Sequence, residues 1–186
     1  GINLVRITST DGVGNSASDD VFVTVIDNEA PTVAVTSSPS NPITLEVGIV
    51  GQALLTTGAV ISTASDNCGI AGSTLNRTIF TCGDVQSANH AVLLTVVDNN
   101  GLSTDSVVYV RVIDSEKPNF VSAPLTVELD AFGQASTSPF ANDTCGVRNI
   151  FPTPSNLFCS QVNVVTSVRV AVEDVNGNFR VGDVDV

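Results

Sequence analysis

Three related stretches recur along this chain of 186 residues, and that recurrence limits its fold more than any other feature. They are "TSTDGVGNSASDDVFVTVIDNEAP" near the start, "VVDNNGLSTDSVVYVRVIDSEKP" from Val96 to Pro118, and "VAVEDVNGNFRVGDVDV" at the end. Asp11, Asp98 and Asp174 each precede a glycine by three residues: Gly14, Gly101 and Gly177. Ten residues past each Asp a valine alternation begins: Val21, Val23, Val25; Val108, Val110, Val112; Val184, Val186. Self-similarity of this kind signals an array of small units. The spacings, 87 residues from Asp11 to Asp98 and 76 from Asp98 to Asp174, suit small independent domains. The expected organisation is residues 1–27 as the C-terminal hairpin of a preceding repeat, 28–114 as a full repeat, and 115–186 as a second, whether whole or truncated. The chain then reads as a window cut from a longer protein.

The units read as all-β. Val5 and Ile7 match Val92 and Leu94, then Val168 and Val170, each alternating with polar neighbours as in a strand buried on one face. After the Asp-x-x-Gly turn a second alternating strand returns, which makes a hairpin. Arg111 and Asp185 lie on its exposed parity. The front halves correspond too: "PITLEVGIVGQALLT" matches "PLTVELDAFGQASTS", with Gly51-Gln52-Ala53 on Gly133-Gln134-Ala135. The offset is 82 residues there and 77 at the cysteines, which places a five-residue difference in a loop between. No segment has a 3.6-residue period, and short strands between Gly/Pro/Asn/Asp clusters indicate β-sandwiches. The junctions "IDNEAPTVAV" and "IDSEKPNFVS" are short, and Pro31 and Pro118 hold the preceding residue extended. Such linkers predict a semi-rigid rod.

Net charge is −12 and Lys117 is the only lysine. This argues against nucleic acid and anionic membranes as partners, because both need clustered Lys and Arg. No apolar run is long enough to span a bilayer as a helix, so no membrane insertion is expected in this segment. An acidic surface suits solubility and the binding of cations.

The four cysteines form two similar pairs, Cys68 with Cys82 and Cys145 with Cys159, each 14 residues apart. The first members lie in "DNCG" and "DTCG", the second in "FTC" and "FC". One pair per repeat predicts one disulfide inside each repeat, and hence an oxidising compartment. The competing reading is zinc, but thiolate pairs for zinc usually lie two to four residues apart, and His90 is the only histidine.

The Asp-x-Cys-Gly, the Phe-x-Cys, the "TVVDNNG" or "VEDVNGN" turn and the closing V-x-V-x-D-x-x-x-P together resemble hyalin (HYR) and related immunoglobulin-like repeats. These build large secreted surface proteins, including giant bacterial adhesins. The resemblance covers Val33 to Val186, with residues 1–27 as a partial copy. It implies tandem immunoglobulin-like β-sandwich domains in an elongated array. It also implies a non-catalytic, extracellular role in adhesion, as the stalk or fibre of a cell-surface adhesin. Partners would be neighbouring repeats of the same chain. The alternatives are a subunit of an extracellular filament (a cell-surface or flagellar hair) in which copies pack laterally, and a carbohydrate-binding module of a larger secreted enzyme that recognises surface glycans.

No cofactor is certain, but structural calcium is a candidate. In an elongated module the hairpin turn before the last strand lies at the pole where the chain enters. Asp98 and Asn100 should then meet the linker residues Asp27 and Glu29. Asp174, Asn176 and Asn178 should meet Asp114 and Glu116. Asp66 and Asp143, beside the first cysteines, are further candidates for those poles. Carboxylates, amides and backbone carbonyls suit calcium, and the linkers resemble those of cadherins, where calcium stiffens domain junctions. The competing reading is plain turn chemistry, since Asp, Asn and Gly are ordinary hairpin residues.

Catalysis has little support. A lone His90 at a strand start gives no nucleophile–base pair. Asn76-Arg77-Thr78 and Asn142-Asp143-Thr144 are N-glycosylation sequons, with Asn76 and Asn142 as acceptors. Phe120, Phe132, Phe140, Phe151 and Phe158 cluster in the second repeat and are expected mainly in its core, with any exposed subset available to sugar or a neighbouring subunit.

Overall fold

The computed structural model describes residues 1–86, 88–120, 126–136 and 141–186, and these are mostly β. The chain opens with a hairpin of β1 (Ile2–Thr10) and β2 (Ser16–Thr24), paired antiparallel throughout. Eight strands follow: β3 (Thr32–Val35), β4 (Ile43–Glu46), β5 (Gln52–Leu54), β6 (Ile61–Ser65), β7 (Ile70–Leu75), β8 (Ile79–Thr81), β9 (His90–Asp98) and β10 (Ser103–Ile113). Four form a sheet in the order β4-β10-β9-β7, with β4 parallel to β10. The pairs β3-β6 and β5-β8 form separate ladders.

The remaining strands are β11 (Asn119–Phe120), β12 (Gln134–Ser136), β13 (Ala141–Asn142), β14 (Val147–Thr153), β15 (Asn156–Phe158), β16 (Ser167–Asp174) and β17 (Phe179–Asp185). Their pairing repeats the first set: β11-β13 stands for β3-β6, β12-β15 for β5-β8, and β14-β16-β17 for β7-β9-β10. The five extra residues of the first set lie between β5 and β6, where a short helix spans Thr57–Val60.

Alternation explains where each core sits. Val92, Leu94 and Val96 of β9 share one parity, as do Val108, Val110 and Val112 of β10, and all are fully buried. They meet Val47, Leu55, Val60 and Phe80. Arg111, on the other parity, is exposed. In the second set Val168, Val170 and Val172 pack with Leu157 and Val184, and Phe120 and Ile150 lean against them.

The strand directions give the first set two distinct ends. At the entry end Pro31, Asp66 to Gly69 and the β9–β10 turn converge: Thr104 Oγ1 donates to Pro31 O at 2.5 Å, and Asn99 N to Gly69 O at 3.0 Å. At the exit end β4 and β10 finish together, Glu46 opposite Ile113, and β5 starts back from Gly51.

The opening hairpin departs from expectation. Val5, Ile7, Val21 and Val23 belong to the inward rows by alignment, yet every residue of β1 and β2 is exposed. Among the described residues no other strand pairs with this ribbon. Val23 is 41% exposed, whereas Val110, its counterpart in the repeat, is at 0%. The same side chain therefore contributes differently in the two places. Val110→Ala should cost about 2 kcal/mol in urea denaturation, while Val23→Ala should stay within about 0.5 kcal/mol of the parent.

Candidate cation sites at the repeat junctions

The inward row of each hairpin's first strand ends on an acid. Asp98 follows Val92, Leu94 and Val96 on the same parity, and Asp174 follows Val168, Val170 and Val172. Both carboxylates are therefore buried at the entry end of their cores, Asp98 at 1% exposure and Asp174 at 0%. Each caps its own turn. Asp98 Oδ1 accepts from Asn100 N at 2.8 Å and Leu102 N at 2.9 Å. Asp174 Oδ1 accepts from Asn176 N and Asn178 N, both at 2.8 Å. Gly101 and Gly177 close these turns with φ of 92° and 91°, a region that a Cβ makes costly.

The second oxygens differ. Asn178 Nδ2 donates to Asp174 Oδ2 at 2.7 Å, and in the opening hairpin Asn15 Nδ2 donates to Asp11 Oδ2 at 2.8 Å. At the corresponding position the first repeat has Leu102, which has no side-chain amide to offer. Asp98 Oδ2 is left buried without a hydrogen bond, and so is Asp66 Oδ2. Together with Asp27 these residues place three carboxylate oxygens within 4.8 Å of one another. Burying an unpaired carboxylate is costly and like charges repel, so a cation at this set would be stabilising. All-oxygen donors of this kind match a hard divalent cation.

The surroundings hold the cluster in place. Asn100 Nδ2 donates to Asp27 Oδ2 at 2.5 Å, which ties the β9–β10 turn to the incoming linker. The Asn100 amide first, then the Glu29 backbone N–H, hold the Asp27 carboxyl below the usual carboxylate range. Hydrogen bonding to Asp27, burial and the charge of Asp27 push the Cys68 thiol up. Glu29 lies outside the three-carboxylate set and accepts from Asn67 Nδ2 at 3.2 Å.

At the second junction Asn176 Nδ2 donates to Asp114 Oδ2 at 2.6 Å, and Asn178 Nδ2 to Asp114 O at 3.1 Å. Asp114 and Asp143 come together there with Cys145, while Asp174 is already satisfied. The backbone N–H of Glu116 donates to Asp114 Oδ1 at 3.0 Å. Both linkers thus meet the following hairpin turn, but among the described residues only the first has a three-carboxylate set. Asn100 and Asn176 act as amide donors to linker carboxylates. The decisive residues, Leu102 and Asn178, differ visibly in "DNNGL" and "DVNGN".

The cysteine pairing corrects the sequence reading. Cys82 is bonded to Cys145, with Cα atoms 5.2 Å apart and 63 residues between them in sequence. Cys68 and Cys159 are free and exposed. Bridges within each repeat fail on geometry. Cys68 lies at the entry end, where Asn99 Nδ2 donates to its carbonyl at 2.9 Å. Cys82 follows β8 at the exit end, near Gly51. The nine residues of β7 and β8 between them extend about 30 Å, and a disulfide tolerates about 7 Å between Cα atoms. The exit end of the first repeat instead meets the entry end of the second. Thr144 Oγ1 donates to Ile49 O at 3.3 Å across that contact, and Ser115 pairs with Glu46. A bridge over this span contributes about 4 kcal/mol in the chain-entropy model.

His90 begins β9, its Nε2 2.8 Å from Asp84 O and its ring against Phe80, so local packing accounts for it. Asn76 and Asn142 are exposed. Of the phenylalanines expected in the second core, Phe120 packs there, while Phe132, Phe151 and Phe158 are exposed. Phe140 lies outside the described residues. Among the described residues no helix is long and apolar enough to cross a membrane. No family model, curated protein or solved structure matches this chain.

Two outcomes follow from the turn chemistry. With a chelator present, Leu102→Asn should raise the unfolding free energy by about 1 kcal/mol by satisfying Asp98, and Asn178→Leu should lower it by about 1–3 kcal/mol. Chemical denaturation of both variants measures this. Asp27 adds a pH dependence whose sign is fixed. Its folded value lies below the ordinary 3.8, so its contribution is complete above that pH and is lost as pH falls through the folded value. Acid titration of stability should show a smaller loss in Asp27→Asn than in the parent, the remainder coming from carboxyls such as Asp84 and Asp11 that are also held low.

Proposed function

We propose that this chain is a run of tandem immunoglobulin-like modules, akin to hyalin repeats, from an extracellular, non-catalytic stalk or fibre of a cell-surface adhesin. The observation that supports it best is the junction: a disulfide joins Cys82 of one repeat to Cys145 of the next. A bond across a boundary resists extension and bending, which is what a load-bearing stalk requires and a freely hinged linker lacks. The buried linker residues Pro31 and Pro118 agree with this, since each linker packs on the module it enters. A disulfide also suits an oxidising, extracellular setting.

The role proposed for the first junction is calcium binding by Asp27, Asp66 and Asp98. The two buried carboxylate oxygens without hydrogen bonds separate this site from an ordinary Asp-Gly turn. Calcium there would join the linker, the strand end before Cys68 and the hairpin turn. The ion would supply charge neutralisation alone, and the linker angle would become dependent on it.

A filament subunit is the second reading, and the hairpin β1–β2 favours it. Its apolar residues, including Leu4 and Phe22, are exposed and could be covered by another copy.

Thermal unfolding tests the calcium role. At about 100 times the dissociation constant, calcium should add about 2.7 kcal/mol, a rise in Tm of about 10 °C, and EDTA should abolish it. An unchanged Tm in both directions would remove calcium from the account. Solution scattering separates the two assemblies: a monomeric rod supports the stalk, and concentration-dependent polymers support the filament.

A further inference from the structure

We infer that Cys68 and Cys159 are the two open ends of a continuous series of disulfides, each made to bond a cysteine of an adjoining copy of this repeat. This rests on the tandem reading and extends it, from one cross-boundary bond to a rule for every boundary.

An exposed thiol alone says little. What marks these two is that their counterparts, 77 residues away in each case, are bonded to each other: Cys145 corresponds to Cys68, and Cys82 to Cys159. The local settings match as well. Cys82 opens the turn Cys82–Asp84 after β8, and Cys159 opens Cys159–Gln161 after β15. Beside them stand Gly51 and Gly133, with φ of 71° and 75°. The Cβ position of Gly51 lies 3.8 Å from Cys82 Sγ and that of Gly133 2.8 Å from Cys159 Sγ, so each sulfur sits beside the equivalent glycine, and at Gly133 a side chain would collide with it.

The other ends match equally. Cys68 N donates to Asp66 Oδ1 at 2.8 Å, and Cys145 N to Asp143 Oδ1 at 2.8 Å. Gly69 and Gly146 follow with φ of 95° and 107°. Their carbonyls accept from Asn99 N and Val175 N, both at 3.0 Å. Cys68 is thus an entry-end cysteine like Cys145, suited to the exit-end cysteine of a preceding copy. Cys159 is an exit-end cysteine like Cys82, suited to the entry-end cysteine of a following copy.

The bond forms by exchange with a small-molecule disulfide such as oxidised glutathione. The Cys159 thiolate attacks one sulfur and releases one glutathione thiolate. The entry-end thiolate of the adjoining copy then attacks the mixed disulfide and releases the second. Two protein thiols are oxidised, one glutathione disulfide is reduced to two thiols, and the two protons go to solvent or to the released thiolates.

The test extends the full chain in register. Val186 aligns with Val110, so a second copy of residues 111–186 is joined directly after Val186. The product is oxidised in glutathione buffer, its free thiols are alkylated, and it is mapped by mass spectrometry without reduction. Cys159, alkylated in the parent, should lose its label and appear linked to the appended copy of Cys145. Cys68 and the appended copy of Cys159 should remain labelled. A labelled Cys159 beside an intact Cys82–Cys145 bond would overturn the inference and leave the tandem reading standing. Loss of Cys82–Cys145 itself would count against both. A companion variant does not depend on the appended segment. In the parent chain Cys82→Ser should leave Cys145 unpaired and fully alkylated, because Cys159 lies at the opposite end of its repeat. A Cys145–Cys159 bond in that variant would overturn the end-to-end assignment.

Discussion

The length of two strands decides how this molecule is held together. A cysteine before β7 and another after β8 sit at opposite ends of an extended path of about 30 Å, so neither can reach the other. Each can reach only what abuts its own end. The exit end of one repeat abuts the entry end of the next, and there Cys82 and Cys145 are bonded. The covalent bond, the linker and the acidic turn consequently gather at the boundaries, while the interior of each unit relies on valine packing.

That division has an energetic logic. A small β unit with a modest core gains from a covalent restraint. Placed inside the unit, the restraint would stabilise that unit alone. Placed across a boundary, it closes a loop through two cores and couples their stability. The acids serve the same region. Asp98 and Asp174 prolong the apolar rows of β9 and β16, so their carboxylates are buried and capped by the following turn. The unpaired oxygen of Asp98 lies with the carboxylate of the linker residue Asp27. One residue then separates two outcomes: Asn178 donates to the second oxygen of Asp174, and with Leu102 at that position the second oxygen of Asp98 has no hydrogen bond.

Much of this was legible in the residues. Valine alternation located the hairpin strands, and Asp-x-x-Gly located their turns, because both are local consequences of backbone period and turn geometry. The approach of Asn100 to the linker followed from strand direction. The cysteine pairing was misread because a spacing of 14 residues repeated twice is equally compatible with bonds inside and between repeats. The strand directions that put the Asp98 turn at the entry end also put Cys82 at the exit end, and following the chain through β7 and β8 separates the two. The exposure of Val5, Ile7, Val21 and Val23 could not be read from alternation, which says which face is apolar and nothing about what covers it. The exposed Phe132, Phe151 and Phe158 teach the same lesson, since aromatic composition carries no direction.

The most direct measurement is a non-reducing peptide map of the intact chain after its free thiols are alkylated under native conditions. The account predicts one cross-linked species, Cys82 with Cys145, and full labelling of Cys68 and Cys159. Cross-links of Cys68 to Cys82 and of Cys145 to Cys159 would contradict it, for they would require both ends of a strand path to coincide.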